Sequence, residues 1–168
     1  IFGIFSAHEN RTAIEKTIEG LKLLQHRGKD GCGISYMLKT LDGVKHNVYK
    51  ETGSVKDVFH NFETQKTSMC IGHTRYSTSG TSISSGINRI ELQPINKTIN
   101  DNVITIVHNG NIPGTKYHDT TMLLDTIIAS KLDIEATLVN ILDTIPVAYC
   151  LIIMYNDKMY VFRDRFGI

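Results

Sequence analysis

The chain has 168 residues, 41% of them hydrophobic, and a formal net charge of +1 from 18 basic and 17 acidic side chains. That length builds a single core that buries roughly two-thirds of the unfolded surface, and so even a balance without a basic run offers neither nucleic acid nor an anionic membrane an attractive field. Three widely spaced cysteines, Cys32, Cys70 and Cys150, each flanked by apolar or small residues, fit buried reduced thiols in a cytoplasmic protein better than a disulfide framework.

In chain order, IFGIFS (Ile1 to Ser6) reads as a buried strand that begins with the first residue. Between Arg11 and Gln25, Ile14, Ile18, Leu21 and Leu24 recur at helical spacing, and the turn-like HRGKDG ends that helix. GISYML (Gly33 to Leu38) and KHNVYK (Lys45 to Lys50) form a hairpin about Asp42-Gly43, the first strand packed more heavily than the second. SMCIGHTRY (Ser68 to Tyr76) and VITIVH (Val103 to His108) are further strands, joined through the long Ser/Gly-rich STSGTSISSGINR, whose length points to function or mobility. Thr120 to Leu132 and Ile134 to Leu142 have helical periodicity, and VAYCLIIMY pairs with KMYVFRD about Asn156-Asp157. The longest apolar stretch, Val147 to Tyr155, is about half of what a bilayer span needs, and the start lacks a signal-peptide pattern. Strands, helix, strands, helices and strands in that order predict an α+β sandwich of mainly antiparallel sheets with helices on the outer faces.

Seven histidines raise the question of a metal, but no HxxxH, CxxC or close Cys/His spacing is present, and His8, His46, His60 and His118 read as turn or solvent-facing residues. No metal site is expected. Phosphate-binding glycine motifs and GxSxG are also missing. Three polar clusters remain where apolar elements end: HRGKDG (His26 to Gly31), GHTRYSTSG (Gly72 to Gly80) and HNGN (His108 to Asn111). Arg75 at a strand mouth can clamp a carboxylate with its guanidinium fork or pair with a neighbouring acid. Asp119 before a helix can cap it or hold an ammonium group. Asn109-Gly110 reads as a tight turn or as a paired amide and backbone N–H that stabilise an oxyanion. If Arg75 binds a carboxylate and Asp119 an ammonium, the ligand is a free α-amino acid.

IFGIFSAH, LQHRGKDGCGI, ETGSVKDVF, IGHTRYSTSG, HNGNIPG and LIIMYNDKMYVFRDRFGI, in this order over essentially the whole chain, resemble the class II glutamine amidotransferases, most closely the glutaminase domain of the glutamine phosphoribosylpyrophosphate amidotransferase family. Tyr76 stands where the sugar-phosphate branch of the class carries Trp. The resemblance implies the four-layer αββα sandwich of the N-terminal-nucleophile hydrolases. It implies that Arg75, with Thr78 and the Tyr76 backbone, binds the glutamine α-carboxylate, that Asp119 binds the α-amino group, that Asn109 and Gly110 form the oxyanion hole, and that Arg27 and Gly28 shape the floor.

Family members begin Cys-Gly-Ile-Phe-Gly-Ile, the Cys being the nucleophile and its own amino group the base, whereas residues 1–168 begin IFGI. They are therefore expected to be a glutaminase domain trimmed at both ends, itself inactive, with the nucleophile upstream of Ile1 and a phosphoribosyltransferase domain beyond. Cys32, where the family has a small residue, reads as core packing. The implied function is glutamine hydrolysis with transfer of ammonia to phosphoribosylpyrophosphate in purine biosynthesis. The alternatives are a different ammonia acceptor or a glutamine-binding module without catalysis. No cofactor is expected in this domain, Mg²⁺ belonging with the phosphoribosyltransferase domain, and the full-length enzyme is expected to be a homo-oligomer.

Overall fold

The structure, a computed structural model, describes residues 1–7, 12–76, 92–113 and 118–167. Period-2 alternation builds one antiparallel sheet from β1 (Phe2–Phe5), β2 (Gly31–Thr40), β3 (Gly43–Thr52) and β4 (Met69–Arg75), in the order β1-β4-β2-β3. A second antiparallel sheet, in the order β5-β6-β7-β8, contains β5 (Ile95–Ile99), β6 (Asn102–Gly110), β7 (Tyr149–Tyr155) and β8 (Lys158–Arg163). Successive side chains of a strand point to opposite faces, so each sheet has an outer apolar face for helices and an inner face for the other sheet.

Helix α1 (Ala13–Leu23) covers the first sheet, where Ile14, Ile18 and Leu21 pack against Cys32, Ile34, Tyr36 and Cys70. The short α2 (Val55–Val58) closes the rim of this layer, and Phe59 and Phe62 just beyond it pack at a tilt against Tyr49. Helices α3 (Asp119–Ala129) and α4 (Ile134–Thr144) cover the second sheet, with Leu123, Leu124, Leu138 and Ile141 against Ile104, Ile106, Leu151 and Ile153. Between the sheets lie Met37, Met69, Ile71, Val107, Ile152 and Met154. The layers are αββα, the architecture the resemblance implied.

Several boundaries differ from the sequence reading. The first hairpin turns at Leu41-Asp42 rather than Asp42-Gly43, because Thr40 pairs with Gly43 and the ladder begins there. β6 runs through Asn109 and Gly110, which pair with Cys150 and Tyr149, so the Asn-Gly pair belongs to a strand and not to a turn. β5 and α2 carry too few apolar residues for periodicity to reveal them. The segment 77–91, which includes most of the Ser/Gly-rich stretch, lies outside the described residues, as does His8. Cys32 and Cys70 are buried, which raises both thiols to about 12, while Cys150 is only partly buried. No helix among the described residues is long and apolar enough to cross a membrane.

His46 corrects an expectation, since it is buried between the sheets rather than facing solvent. Its Nε2 lies 2.7 Å from the Asn156 carbonyl and its Nδ1 2.8 Å from the Thr105 hydroxyl. A carbonyl only accepts, so Nε2 carries the proton and Nδ1 takes the Thr105 hydroxyl, which leaves the ring neutral and tying β3 to the second sheet. Burial lowers the His46 pKa, against the pull of the Asn156 carbonyl. His73, on the inner face of β4, is lowered from 6.5 to about 3, first by burial and then by the positive charges around it, Arg75 among them.

Both rings bind a proton more readily in the unfolded chain, so their contribution to stability is complete above the unfolded pKa of 6.5 and is lost as pH falls below it. For His73 the loss continues down to about 3 and approaches about 1.4 kcal/mol per pH unit once well below the unfolded value. Thermal unfolding followed by circular dichroism should therefore show a midpoint at pH 5.5 below that at pH 7.5 by roughly 3 °C; a flat midpoint would mean that these rings accept protons in the fold.

Candidate functional site

Along β4 the inner-face residues Met69, Ile71, His73 and Arg75 alternate with helix-facing Cys70, Gly72 and Thr74. Arg75 is the last residue of the strand, so its guanidinium emerges where the inter-sheet apolar layer stops. The backbone of Arg75 is gripped by the turn that the sequence marked as HRGKDG. Asp30 N–H donates to Arg75 O at 3.1 Å, and Gly31 pairs with Arg75 in the β2–β4 ladder. A Cβ on Gly28 would lie 2.5 Å from both the carbonyl carbon and oxygen of Arg75. Gly28 is thus a floor residue because nothing larger fits beneath the arginine backbone. Arg27 ends a 3₁₀ turn (Gln25–Arg27) that the Gln25 side chain secures, donating to Gly28 O at 2.5 Å and accepting Val55 N–H at 2.6 Å. Tyr76, immediately beyond β4, is 69% exposed, and Thr78 lies outside the described residues.

In the facing sheet, the outer ends of β6 and β7 carry the second group. Asn109 is opposite Cys150, and by strand alternation both project to the face that also bears Val107 and Ile152, towards the first sheet. Ile1, which leads into β1, lies here as well, near Cys150 and Arg27. Gly110 is held to glycine by its surroundings, since a Cβ would meet His108 Nε2 at 2.7 Å and Ala148 O and Tyr149 Cβ at 2.9 Å.

Asp119 is the first residue of α3, and its carboxylate serves neighbours on both sides: Oδ1 accepts Thr120 N–H at 2.7 Å and Oδ2 accepts Ile112 N–H at 3.3 Å. Burial by itself would raise its pKa; His108, with the two N–H groups, overrides that and holds the carboxyl at about 2. Nδ1 of His108, a residue only 2% exposed, lies 3.6 Å from Asp119 Oδ1 and 3.3 Å from Thr120 Oγ1. One imidazole therefore lies beneath Gly110 and beside Asp119, coupling the two. His108 was visible in HNGN, yet nothing in its spacing to Asp119 shows that a ring spans the pair. His73 was equally visible in GHTR and is found buried beside Arg75 and His108.

This end of the sandwich carries an arginine at a strand end, a carboxylate held ionised at a helix N-terminus, and an amide followed by a glycine packed against the buried His108, with the buried His73 near Arg75 and His108. No group of three or more metal-ligating side chains occurs among the described residues.

No protein-family model matches the chain. The amidophosphoribosyltransferase of Methanocaldococcus jannaschii is 34% identical over 187 residues, an alignment covering 99% of this chain and 38% of that protein. Over nearly all of its own length the chain is similar to the amidophosphoribosyltransferases. The amidophosphoribosyltransferase of Bacillus subtilis is 30% identical over 99% of the chain and 37% of its own length. Among solved structures, glutamine phosphoribosylpyrophosphate amidotransferase from B. subtilis complexed with ADP and GMP has a TM-score of 0.76 at 29% identity, covering 96% of this chain and 36% of that one. A structure titled as the allosteric regulatory enzyme of purine biosynthesis has a TM-score of 0.81 at 28% identity over 98% of this chain and 37% of its own. The fold is accordingly the N-terminal-nucleophile glutamine amidotransferase sandwich, and the chain spans little more than a third of the length of these amidophosphoribosyltransferases.

The tight seat of Gly28 gives a direct test. Gly28→Ala should destabilise the protein by about 1–3 kcal/mol, because the methyl group meets backbone rather than a movable side chain; an unchanged denaturation midpoint would show that the Arg75 backbone is not held there.

Proposed function

We propose that this chain is the glutaminase part of an amidophosphoribosyltransferase, releasing ammonia from glutamine for transfer to phosphoribosylpyrophosphate on a partner phosphoribosyltransferase domain, in the step of purine biosynthesis that makes phosphoribosylamine. The observation that carries this reading is the placement of Arg75 and an ionised Asp119 at the sandwich end that also holds Asn109 and Gly110. Arg75 takes the glutamine α-carboxylate, helped by the Tyr76 backbone and Thr78. Asp119 takes the α-ammonium group, and Arg27 and Gly28 line the floor.

The nucleophile is a cysteine two residues before Ile1. Its α-amino group, which titrates near pH 8 when unperturbed, accepts the thiol proton. The thiolate adds to the side-chain amide carbon, and the oxyanion so formed receives hydrogen bonds from the Asn109 side chain and the Gly110 N–H. The C–N bond then breaks, the amino group's proton goes to the departing nitrogen, and ammonia leaves a γ-glutamyl thioester. Water attacks this thioester, freeing glutamate and the thiol. The scheme uses no cofactor in this domain, and Mg²⁺ belongs to phosphoribosyl transfer.

In the complete protein, Asn109→Ala should lower kcat for glutamine hydrolysis by about 10²–10³ with little change in KM; a loss confined to KM would make Asn109 a binding residue only. Arg75→Lys keeps the charge and loses the bidentate fit. It should weaken glutamine binding while ammonia-dependent synthesis survives, whereas equal loss of both activities would point to a structural role.

A further inference from the structure

β5 accompanies β6 only as far as the Ile95–Ile106 pair. Continuing outward would set Pro94 against Val107 and Gln93 against His108, but Pro94 has no N–H to donate and the main-chain ladder cannot go on. At this place the Gln93 side chain takes over. Its Oε1 accepts His108 N–H at 2.6 Å and its Nε2 donates to His108 O at 3.2 Å. A primary carboxamide so placed acts as a substitute peptide group, satisfying both main-chain polar groups of a residue that is 2% exposed.

Gln93 is itself fastened from the other sheet. Its carbonyl oxygen packs so closely on β2 that a Cβ on Gly33 would lie 2.5 Å from it. Lys50 of β3 donates to Leu92 O at 2.6 Å and Pro94 O at 3.0 Å, on either side of Gln93. The Leu92 side chain occupies the space over Gly31, the residue paired with Arg75. The segment 92–94 thus spans both sheets at the end where the site lies, with its back on the Arg75 sheet and the Gln93 amide on the strand that ends in Asn109 and Gly110.

We propose that Gln93 is a positioning residue for glutamine hydrolysis: by clasping the His108 peptide it fixes the position of the Asn109 and Gly110 donors relative to the sheet that carries Arg75. The proposal rests on the oxyanion role given to Asn109 and Gly110. Donors of this kind act only where they are held to a fraction of an ångström, and a displacement of about 1 Å costs on the order of 10²-fold in rate. The Gln93 amide touches no substrate; it acts through the His108 backbone.

The test is a double-mutant cycle on the complete protein. Gln93→Ala should lower kcat for glutamine hydrolysis by about 10²-fold with KM for glutamine nearly unchanged. Combining it with Asn109→Ala should add little to the loss from Asn109→Ala alone, because both changes remove the same stabilisation. Gln93→Glu keeps an acceptor for His108 N–H but sets a carboxylate against His108 O, and should show the same kcat-selective loss even if Gln93→Ala fails to fold. Hydrogen exchange at the His108 amide should accelerate in each folded variant. If Asn109→Ala lowers kcat but the Gln93 variants retain parental kcat, raise KM instead, or multiply their loss with that of Asn109→Ala, the positioning role is overturned. If Asn109→Ala itself hydrolyses glutamine at the parental rate, the oxyanion reading fails, and accelerated exchange at His108 would then mark the clasp as structural only.

Discussion

Met37, Met69, Ile71, Val107, Ile152 and Met154 close a layer between the two sheets, and the site occupies the place where that layer ends. Strand alternation sends every second residue of β4 and β6 into this layer, so the inner-face positions beyond the apolar ones are His73 and then Arg75 on one sheet and Asn109 on the other. The site is thus a consequence of two strands becoming polar at the same height. Unbranched methionines supply much of the layer and adapt to the irregular gap between two twisted sheets.

Polar groups inside such a layer are tolerated only with partners. His46 bridges the sheets through Thr105 and Asn156, and Gln93 does so at the opposite end through His108 and the Gly33 surface. These two bridges fix relative position in a way apolar contacts alone do not, since hydrogen bonds are directional and apolar contacts are not. His108 extends the same logic outward: its main chain is held by Gln93, and its ring lies between Gly110 and Asp119. The donors assigned to the oxyanion and the carboxylate assigned to the substrate ammonium therefore share one support.

Much of this was legible in the residues. Alternating apolar runs marked seven of the strands and helical periodicity marked α1, α3 and α4, because each buries one face and the pattern records it. β5 and α2 were not legible: INKTI is polar along most of its length, and VKDV is one turn long. Asn109-Gly110 illustrates the limit of local rules, since a pair that favours a hairpin turn is held extended by pairing with Cys150 and Tyr149. Arg75 and the HNGN cluster stood out because charged and amide residues directly after apolar strands need a reason to be there, and Asp119 because it stands immediately before a helix. Gln93 and the His108 ring did not, because a lone Gln before Pro, or a His within a strand, has the same local appearance whether it is buried or exposed.

The sequence by itself determined which residues are apolar at which period, and so the number of layers and the face each element presents, because burial of apolar area depends on composition and spacing alone. It also determined the chemistry available where the strands end: one guanidinium, one carboxylate, one amide and the glycine after it. Only the tertiary structure decided that these groups share one end of the sandwich, that Gly28 and Gly110 must lack a side chain, and that Gln93 completes a ladder that Pro94 interrupts. Those facts depend on contacts between residues far apart in the chain, and hydrogen bonding and steric exclusion over a few tenths of an ångström leave no trace in the spacing of residue types.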